Sequence, residues 1–307
     1  MIETVKNKRV VVLGLGHTGL SALHWLVAQG AKVIVADTRE NPPNLQAVRK
    51  DMPSVEIILG DFDTSLLQAA ELMVISPGIA LSTPAVQQAI GAGVPVVGDV
   101  ELFAQFRSPN AKVIAITGSN GKTTVTTLVG EMCKSAGLKT IVAGNIGLPV
   151  LEALDMDVPD VYVLELSSFQ LETTNSLIAD VATVLNVTED HMDRYPDLST
   201  YAAAKAHIFY KAKHQVLNRD DAWSMVMERT QLALTTYGLN DNADGFGIEV
   251  KNNEIWLCDS GKHLINAADL HIRGAHNVSN ALAALALCRA IGLEYAPLLS
   301  TLYNFKG

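Results

Sequence analysis

The chain has 307 residues, 49% of them hydrophobic and 18% charged, which suits a soluble globular protein of about two domains with sizeable cores. Lys+Arg 23 against Asp+Glu 32 gives a net charge of −9, which excludes nucleic-acid binding through phosphate neutralisation but not a small phosphate-bearing ligand met locally. No apolar run reaches the eighteen or so residues of a membrane span, Met1–Lys8 is too short and polar for a signal peptide, and Cys133, Cys258 and Cys288 show no metal-ligand spacing, so a reducing cytoplasmic setting with buried cysteines is expected.

The first hundred residues alternate between strand and helix patterns. Strands are predicted at Val10–Leu13, Val33–Ala36, Val55–Leu59, Leu72–Ile75 and Val94–Val97, with helices at Ser21–Gln29 and Thr83–Gly91, where small and apolar residues recur at three- and four-residue steps. Such alternation implies a parallel sheet with helices on its faces. A polar stretch from Gln105 to Lys112 reads as a linker, and the domains are placed at 1–100 and 101–307. The second domain restarts with a strand at Lys112–Thr117 and a helix over Val125–Cys133, then strands at Thr140–Val142, Val161–Leu166, Val181–Asn186 and Gln215–Leu217. Phe246–Val250 and Glu254–Leu257 flank Lys251-Asn252-Asn253 as a β-hairpin, and an Ala/Leu-rich helix runs from His276 to about Ile291.

Ile116-Thr117-Gly118-Ser119-Asn120-Gly121-Lys122-Thr123-Thr124 lies between a strand and a helix pattern, the setting of a phosphate-binding loop. Glycines let backbone N–H groups face a phosphate, the helix N-terminus adds its positive end, Lys122 brings a cation and the Thr123 hydroxyl suits a nucleotide-bound Mg²⁺. Ile116 stands where the general G-x-x-x-x-G-K-[ST] pattern has its first glycine, so the spacing is a shortened form; a Gly-rich turn capping a helix is the plain alternative. Gly14-Leu15-Gly16-His17-Thr18-Gly19 fits the G-x-G-x-x-G fingerprint, with Asp37 ending the next strand where a dinucleotide fold puts its ribose-binding acid. Taken alone this suggests NAD and an oxidoreductase, or merely a tight strand-to-helix turn.

Glu165 is the one acid near the end of the apolar strand Val161–Leu166, a candidate Mg²⁺ ligand or a strand-end carboxylate satisfied by backbone N–H groups. Asn186-Val187-Thr188-Glu189-Asp190-His191-Met192-Asp193 is dense in oxygen and nitrogen donors, and His191 suits either a metal, a phosphate or a structural role. Lys205, in Tyr201-Ala202-Ala203-Ala204-Lys205, reads from spacing alone as a solvated lysine on a helix. His17, His24, His207, His214, His263 and His271 form no catalytic pattern.

These blocks, together with Ser76-Pro77-Gly78-Ile79-Ala80, Gly144-Asn145-Ile146-Gly147, Leu164-Glu165-Leu166-Ser167-Ser168-Phe169-Gln170-Leu171-Glu172 and Asn186 to Tyr195, resemble the Mur ligases, ATP-dependent amide-forming enzymes of peptidoglycan precursor synthesis. The Glu-Leu-Ser-Ser-Phe-Gln block is similar to the branch that adds D-glutamate to UDP-N-acetylmuramoyl-L-alanine; the folylpolyglutamate-type ligases share the loop but not that block. The resemblance implies an α/β protein with a Rossmann-like N-terminal domain and a central P-loop-type ATPase domain carrying a small antiparallel element. It implies that Gly16, His17, Thr18, Asp37, Thr38, Arg39 and Gly78 hold the UDP moiety, that Asn145 meets the muramoyl substrate near its reacting end, and that Gly118 to Thr124 bind ATP with Asn280 near the adenine. Thr123 and Glu165 would hold one Mg²⁺, and His191 and Lys205, the latter as a carbamate, a second; Lys122, Glu165, His191 and Lys205 would be the catalytic set. Family members continue into a third domain that binds D-glutamate, so this chain, ending at Gly307, is expected to be a monomeric two-domain fragment that makes no amide bond, or a non-catalytic nucleotide-binding module.

Overall fold

In the computed structural model, which describes residues 2, 4–241 and 244–307, the chain forms two compact units. The first comprises Met1–Arg107 together with Pro149–Met156 and Glu172–Ser176; the second holds Ser108–Leu148, Asp157–Leu171 and Leu177–Gly307. Among the described residues no helix is long and apolar enough to cross a membrane.

Unit 1 runs β1 (Arg9–Leu13), α1 (His17–Ala28), β2 (Lys32–Asp37), α2 (Leu45–Asp51), β3 (Glu56–Leu59), α3 (Thr64–Gln68), β4 (Leu72–Ile75), α4 (Pro84–Gly91), β5 (Val96–Val97) and α5 (Asp99–Phe106). Its five strands are parallel in the order β3-β2-β1-β4-β5. Val10 to Leu13 are fully buried because helices cover both faces of β1, which is why its apolar run does not alternate. The order reverses direction between β1 and β4, and the loops that follow those two strands meet there: a Cβ on Gly14 would come within 3.1 Å of both Ser76 and Ile79. Gly19 allows α1 to lie on the loop, since a Cβ there would sit 1.8 Å from the Gly14 carbonyl oxygen.

The linker segment is less of a spacer than its polarity suggests. α5, which the sequence reading assigned to the second domain, packs within unit 1, because the buried Glu101 carboxylate accepts hydrogen bonds from the backbone N–H groups of Asn175 (2.6 Å) and Ser176 (2.8 Å) and so draws that short segment into the unit.

Unit 2 runs β6 (Lys112–Thr117), α6 (Lys122–Ser135), β7 (Thr140–Gly144), β8 (Val161–Glu165), α7 (Ser168–Leu171), β9 (Val181–Val184), α8 (Leu198–Ala206), β10 (His214–Asn218), α9 (Ala222–Val226), β11 (Ala233–Tyr237), β12 (Phe246–Lys251), β13 (Glu254–Asp259), β14 (Lys262–Asn266), α10 (Ala275–Ala290) and α11 (Tyr295–Asn304). They build one nine-stranded sheet, ordered β14-β13-β12-β11-β10-β9-β6-β8-β7. The six strand pairings from β7 across to β12 are all parallel but not uniform in length: β11 meets β12 through the single pair Tyr237–Phe246, after which β12, β13 and β14 are antiparallel. The hairpin therefore stands as expected, whereas β11 and β14 carry no clear apolar alternation and escape a reading based on it.

The core of unit 2 lies where α6 and α10 cover the sheet. Val125, Leu128, Val129 and Met132 of α6 meet Leu282, Leu285 and Cys288 of α10 over Ile114, Ile116 and Val163. Ala281 to Cys288 are all 0% exposed, so this part of α10 is apolar all round, as a helical stretch buried on every side must be. Each buried leucine side chain stabilises the unit by about 1.5–3 kcal/mol.

Replacing Glu101 by Ala leaves the Asn175 and Ser176 N–H groups without their acceptor. The variant is expected to lose about 1–3 kcal/mol of stability, read as a lower urea midpoint.

Candidate functional site

The ends of β6, β8 and β9 adjoin because β6 is the central strand at which the sheet's order turns, with β8 on one side and β9 on the other. In open α/β sheets ligands bind outside the carboxyl ends of the strands at such a point. Between β6 and α6 the loop Gly118–Gly121 curls back on itself: Gly121 takes φ 83°, and a Cβ there would lie 2.6 Å from Asn280 Oδ1. Glycine is thus demanded twice over, by backbone conformation and by the approach of α10. Asn280 is held by its own Nδ2 donating to Asn277 Oδ1 (3.3 Å). The structure sets Asn280 against Gly121, where the loop enters α6, a contact its position in the sequence does not announce.

The segment after β9 clamps the same loop. Ser119 N–H donates to the Asn186 carbonyl (2.9 Å), Asn120 N–H to Asn186 Oδ1 (2.8 Å), and Asn186 Nδ2 returns a bond to the Asn120 carbonyl (3.0 Å). Thr188 adds its N–H to Ser119 Oγ (3.0 Å), and Asn120 Nδ2 donates to Thr188 Oγ1 (3.2 Å). Asn186 and Thr188 are therefore loop-positioning residues; the density of polar residues after an apolar strand marked the segment but not this role.

Two lysines enter the loop. Lys122 Nζ donates to the carbonyls of Gly118 (2.8 Å) and Ser119 (2.9 Å), and Lys205 Nζ to the same Gly118 carbonyl (2.9 Å). Lys205 is 1% exposed, which overturns its reading as a solvated lysine: α8 turns it inward, where its ammonium also lies 4.4 Å from the centre of the Tyr201 ring. Burial, then the neighbouring Lys122 charge, pulls the Lys205 pKa down to about 7, against a smaller opposing pull from Asp190. Burial likewise lowers Lys122, with Glu165 and Asp190 restoring part of it. Together with Thr124 in the first turn of α6, these groups make a concentrated positive site for a polyphosphate.

Glu165 ends β8 and is 1% exposed. Its partners are side chains rather than the backbone donors a plain strand-end acid would use: Thr123 Oγ1 donates to Oε2 and Asn145 Nδ2 to Oε1, each at 3.1 Å. Two hard oxygens from Thr123 and Glu165 at this separation fit a Mg²⁺ beside bound phosphates. His191 lies on the loop after β9 at φ 56°, exposed, with Nε2 3.5 Å from Asp190 Oδ2 and its ring 4.8 Å from Phe169. Phe169 in turn stacks on Tyr195 at 5.8 Å, and Tyr195 packs at 5.1 Å on Tyr201. His191 and Lys205 thus flank the Tyr201 ring, at 6.2 and 4.4 Å respectively. Nothing in the sequence spacing pointed to this aromatic support.

In unit 1, Gly16 precedes α1 and His17 and Thr18 form its first turn, so their N–H groups face outward at the β1–β4 turning point, and Gly78 lies exposed on the loop after β4. Asp37 is 2% exposed and fully engaged: Oδ2 accepts from Leu15 N–H and Arg39 Nη2 (both 2.7 Å), and Oδ1 from Arg39 N–H and Nε (both 2.9 Å). It therefore offers no free oxygen to a ribose, the role a nicotinamide fold would give it. It fixes the Gly14–Gly16 loop and orients Arg39, which with Thr38 remains exposed.

The Mur ligase middle-domain family model matches residues 116–288, and the model for the Mur ligase MurD-like, N-terminal domain matches residues 8–98. The chain is 58% identical over 305 residues to the UDP-N-acetylmuramoylalanine--D-glutamate ligase of Methylobacillus flagellatus, and 49% identical over 304 residues to the enzyme of the same name from Pseudomonas syringae pv. tomato. Each match takes in 99% of this chain and 67% of the relative, so the chain spans about two thirds of their length. Among solved structures, the UDP-N-acetylmuramate:L-alanyl-gamma-D-glutamyl-meso-diaminopimelate ligase from Neisseria meningitides matches with TM-score 0.67 and 18% identity over 98% of both chains. UDP-N-acetylmuramate-alanine ligase from Thermotoga maritima matches with TM-score 0.58 and 21% identity over 98% of this chain and 69% of that one. At these identities the solved structures speak to the fold alone.

Burial raises the Asp37 carboxyl pKa, but the Arg39 side chain and the Leu15 and Arg39 N–H groups outweigh it, so the net value lies below the ordinary one. The stability this contributes is present above the unfolded-state pKa and is lost as pH falls through the lower folded value. Asp37→Asn is expected to destabilise unit 1 at neutral pH and to flatten the acid limb of the unfolding curve below about pH 4, measured by circular dichroism.

Proposed function

The chain belongs to the Mur ligase family, and from that premise we propose that it serves ATP-dependent amide ligation in peptidoglycan precursor synthesis, joining D-glutamate to UDP-N-acetylmuramoyl-L-alanine. The observation that carries this reading is the convergence of a phosphate loop, two lysines and the buried Glu165, bonded to both Thr123 and Asn145, at the turning point of one sheet.

Gly118, Ser119, Asn120, Gly121 and Thr124 cradle the phosphates with backbone N–H groups, and Asn280 sits beside the nucleotide on the adenine side. The Lys122 ammonium leaves its loop carbonyls for the outer phosphates. Mg²⁺, when bound, supplies charge neutralisation on the phosphate oxygens; Thr123 and Glu165 would hold one ion, and His191 and a carbamylated Lys205 the other. Gly16, His17, Thr18 and Gly78 receive the UDP diphosphate, and Asp37 presents Arg39 and Thr38 to it. Asn145, already hydrogen-bonded to Glu165, directs the reacting end of the muramoyl-alanine towards the phosphate loop. The alanine carboxylate takes the γ-phosphoryl group, and the D-glutamate amine displaces phosphate from the resulting acyl phosphate through a tetrahedral carbon. The protein's part is positioning and electrostatic stabilisation. Its working state is a cytoplasmic monomer.

A lysine can become a carbamate only through its neutral amine, and the burial that brings Lys205 to about 7 supplies that form at physiological pH.

Equilibrium titration of the full chain tests the reading: UDP-N-acetylmuramoyl-L-alanine and MgATP are expected to bind and NADH not to, whereas tight NADH binding would restore the oxidoreductase alternative. Lys122→Ala should weaken MgATP by about 10- to 100-fold with the UDP substrate's affinity unchanged. In ¹³C-bicarbonate, a carbamate resonance should grow as pH rises through the Lys205 pKa and be missing in Lys205→Arg; a wild-type spectrum without it at alkaline pH would dismiss the carbamate.

A further inference from the structure

The antiparallel edge of unit 2 carries a group of side chains for which ligation has no use. β12, β13 and β14 are joined so that Glu249 faces Trp256, Gly247 faces Cys258 and Cys258 faces His263. Alternation along the pleat brings Glu249, Trp256, Cys258 and His263 to one face of the sheet. A bulge at Leu257/Cys258 adjusts the register there, and bulges re-aim the side chains beside them.

The carboxylate of Glu249, the thiol of Cys258 and the imidazole of His263 offer ligand atoms that all lie within 4.8 Å of one another. His263 Nε2 is 2.7 Å from Glu249 Oε2. The imidazole is stacked on Trp256, with centroids 5.1 Å apart and planes 13° from parallel, so its direction is fixed by packing as a metal-ligating histidine requires. Cys258 is buried while Glu249 and His263 are partly exposed, which gives an ion a protected thiol on one side and a path from solvent on the other. A glutamate–histidine hydrogen bond by itself would account for the 2.7 Å contact but not for a thiol supplied at the same point by the strand between them.

We propose that Glu249, Cys258 and His263 bind one divalent transition-metal ion of the zinc class, which clips β12, β13 and β14 together. One sulfur, one nitrogen and one oxygen donor suit Zn²⁺ or Co²⁺, whose sites take these ligand types, and not Mg²⁺ or Ca²⁺, which take oxygen. The site is therefore distinct in chemistry from the oxygen pair Thr123 and Glu165. On binding, the thiol proton leaves to solvent, the thiolate and carboxylate bring two negative charges to the ion, and the imidazole binds through a neutral nitrogen. β14, at the edge of the sheet, is tied on one side only, and a metal bridging it to β13 and β12 restrains that edge.

The test titrates the metal-free full chain with Co²⁺ and reads the near-ultraviolet thiolate-to-cobalt charge-transfer band with the visible bands of tetrahedral Co²⁺. One equivalent should generate both, Zn²⁺ should abolish them by displacement, and hydrogen exchange over Phe246–Asn266 should slow. Cys258→Ser should remove the charge-transfer band, and His263→Gln, at a partly exposed position that the fold tolerates, should weaken Co²⁺ by about tenfold or more. No thiolate band in the wild type, or a band that survives Cys258→Ser, would overturn the proposal; so would unchanged affinity in a folded His263→Gln.

Discussion

Two ammonium groups converging on one carbonyl oxygen set the terms for the rest of this molecule. Lys122 and Lys205 both donate to Gly118 O, at 2.8 and 2.9 Å, inside a loop that already presents the positive end of a helix. Burial denies both ammonium groups water and lowers both, and the neighbouring Lys122 charge pulls Lys205 down further, to about 7. An anionic ligand with several oxygens would relieve that cost, which is the physical ground for proposing a polyphosphate here. The carboxylates of Glu165 and Asp190 offset only part of the charge in its absence.

Because the loop must hold this charge, its backbone is pinned from several directions. Asn186 and Thr188 clamp it from the segment after β9, Asn280 bears on Gly121 from α10, and Thr123 ties its end to Glu165. These partners are distant in sequence and meet because β6 lies between β8 and β9. Unit 1 solves the smaller version of the same problem. There the Gly14–Gly16 loop is held from behind by one buried carboxylate, Asp37, with Ser76 Oγ donating to the Gly14 carbonyl at 3.2 Å. The fingerprint that serves a dinucleotide elsewhere is here backed by an acid turned inward, onto the loop and Arg39.

Legibility followed the kind of signal each residue carries. Buried parallel strands such as Val10–Leu13 and Val161–Glu165 were plain, because a run of apolar residues is required wherever both faces are covered. Ala233–Tyr237 and Lys262–Asn266 were not, because their residues are partly exposed and mixed in polarity, and they are strands only through their neighbours. Glu165 stood out as an acid where the chain otherwise spends none. Lys205 did not, since a lysine on an alanine-rich helix has the same local sequence whether it faces water or the core. Cys258 and His263 likewise looked unrelated, being paired only by the register of two strands.

The sequence alone determined the parts whose physics is local: the glycine loops, the helices that open after them, the apolar strands and, through several exact blocks, the family. Backbone conformation at a glycine and the burial of an apolar run depend on near neighbours, so they can be read along the chain. Only the tertiary structure decided that Lys205 is buried against the loop, that Asp37 points inward rather than at a ligand, that α5 joins the first unit, and that three strands bring unlike metal-binding groups to one face. Each of these depends on desolvation or contact between residues far apart in the chain, and neither quantity exists until the strands have taken their order.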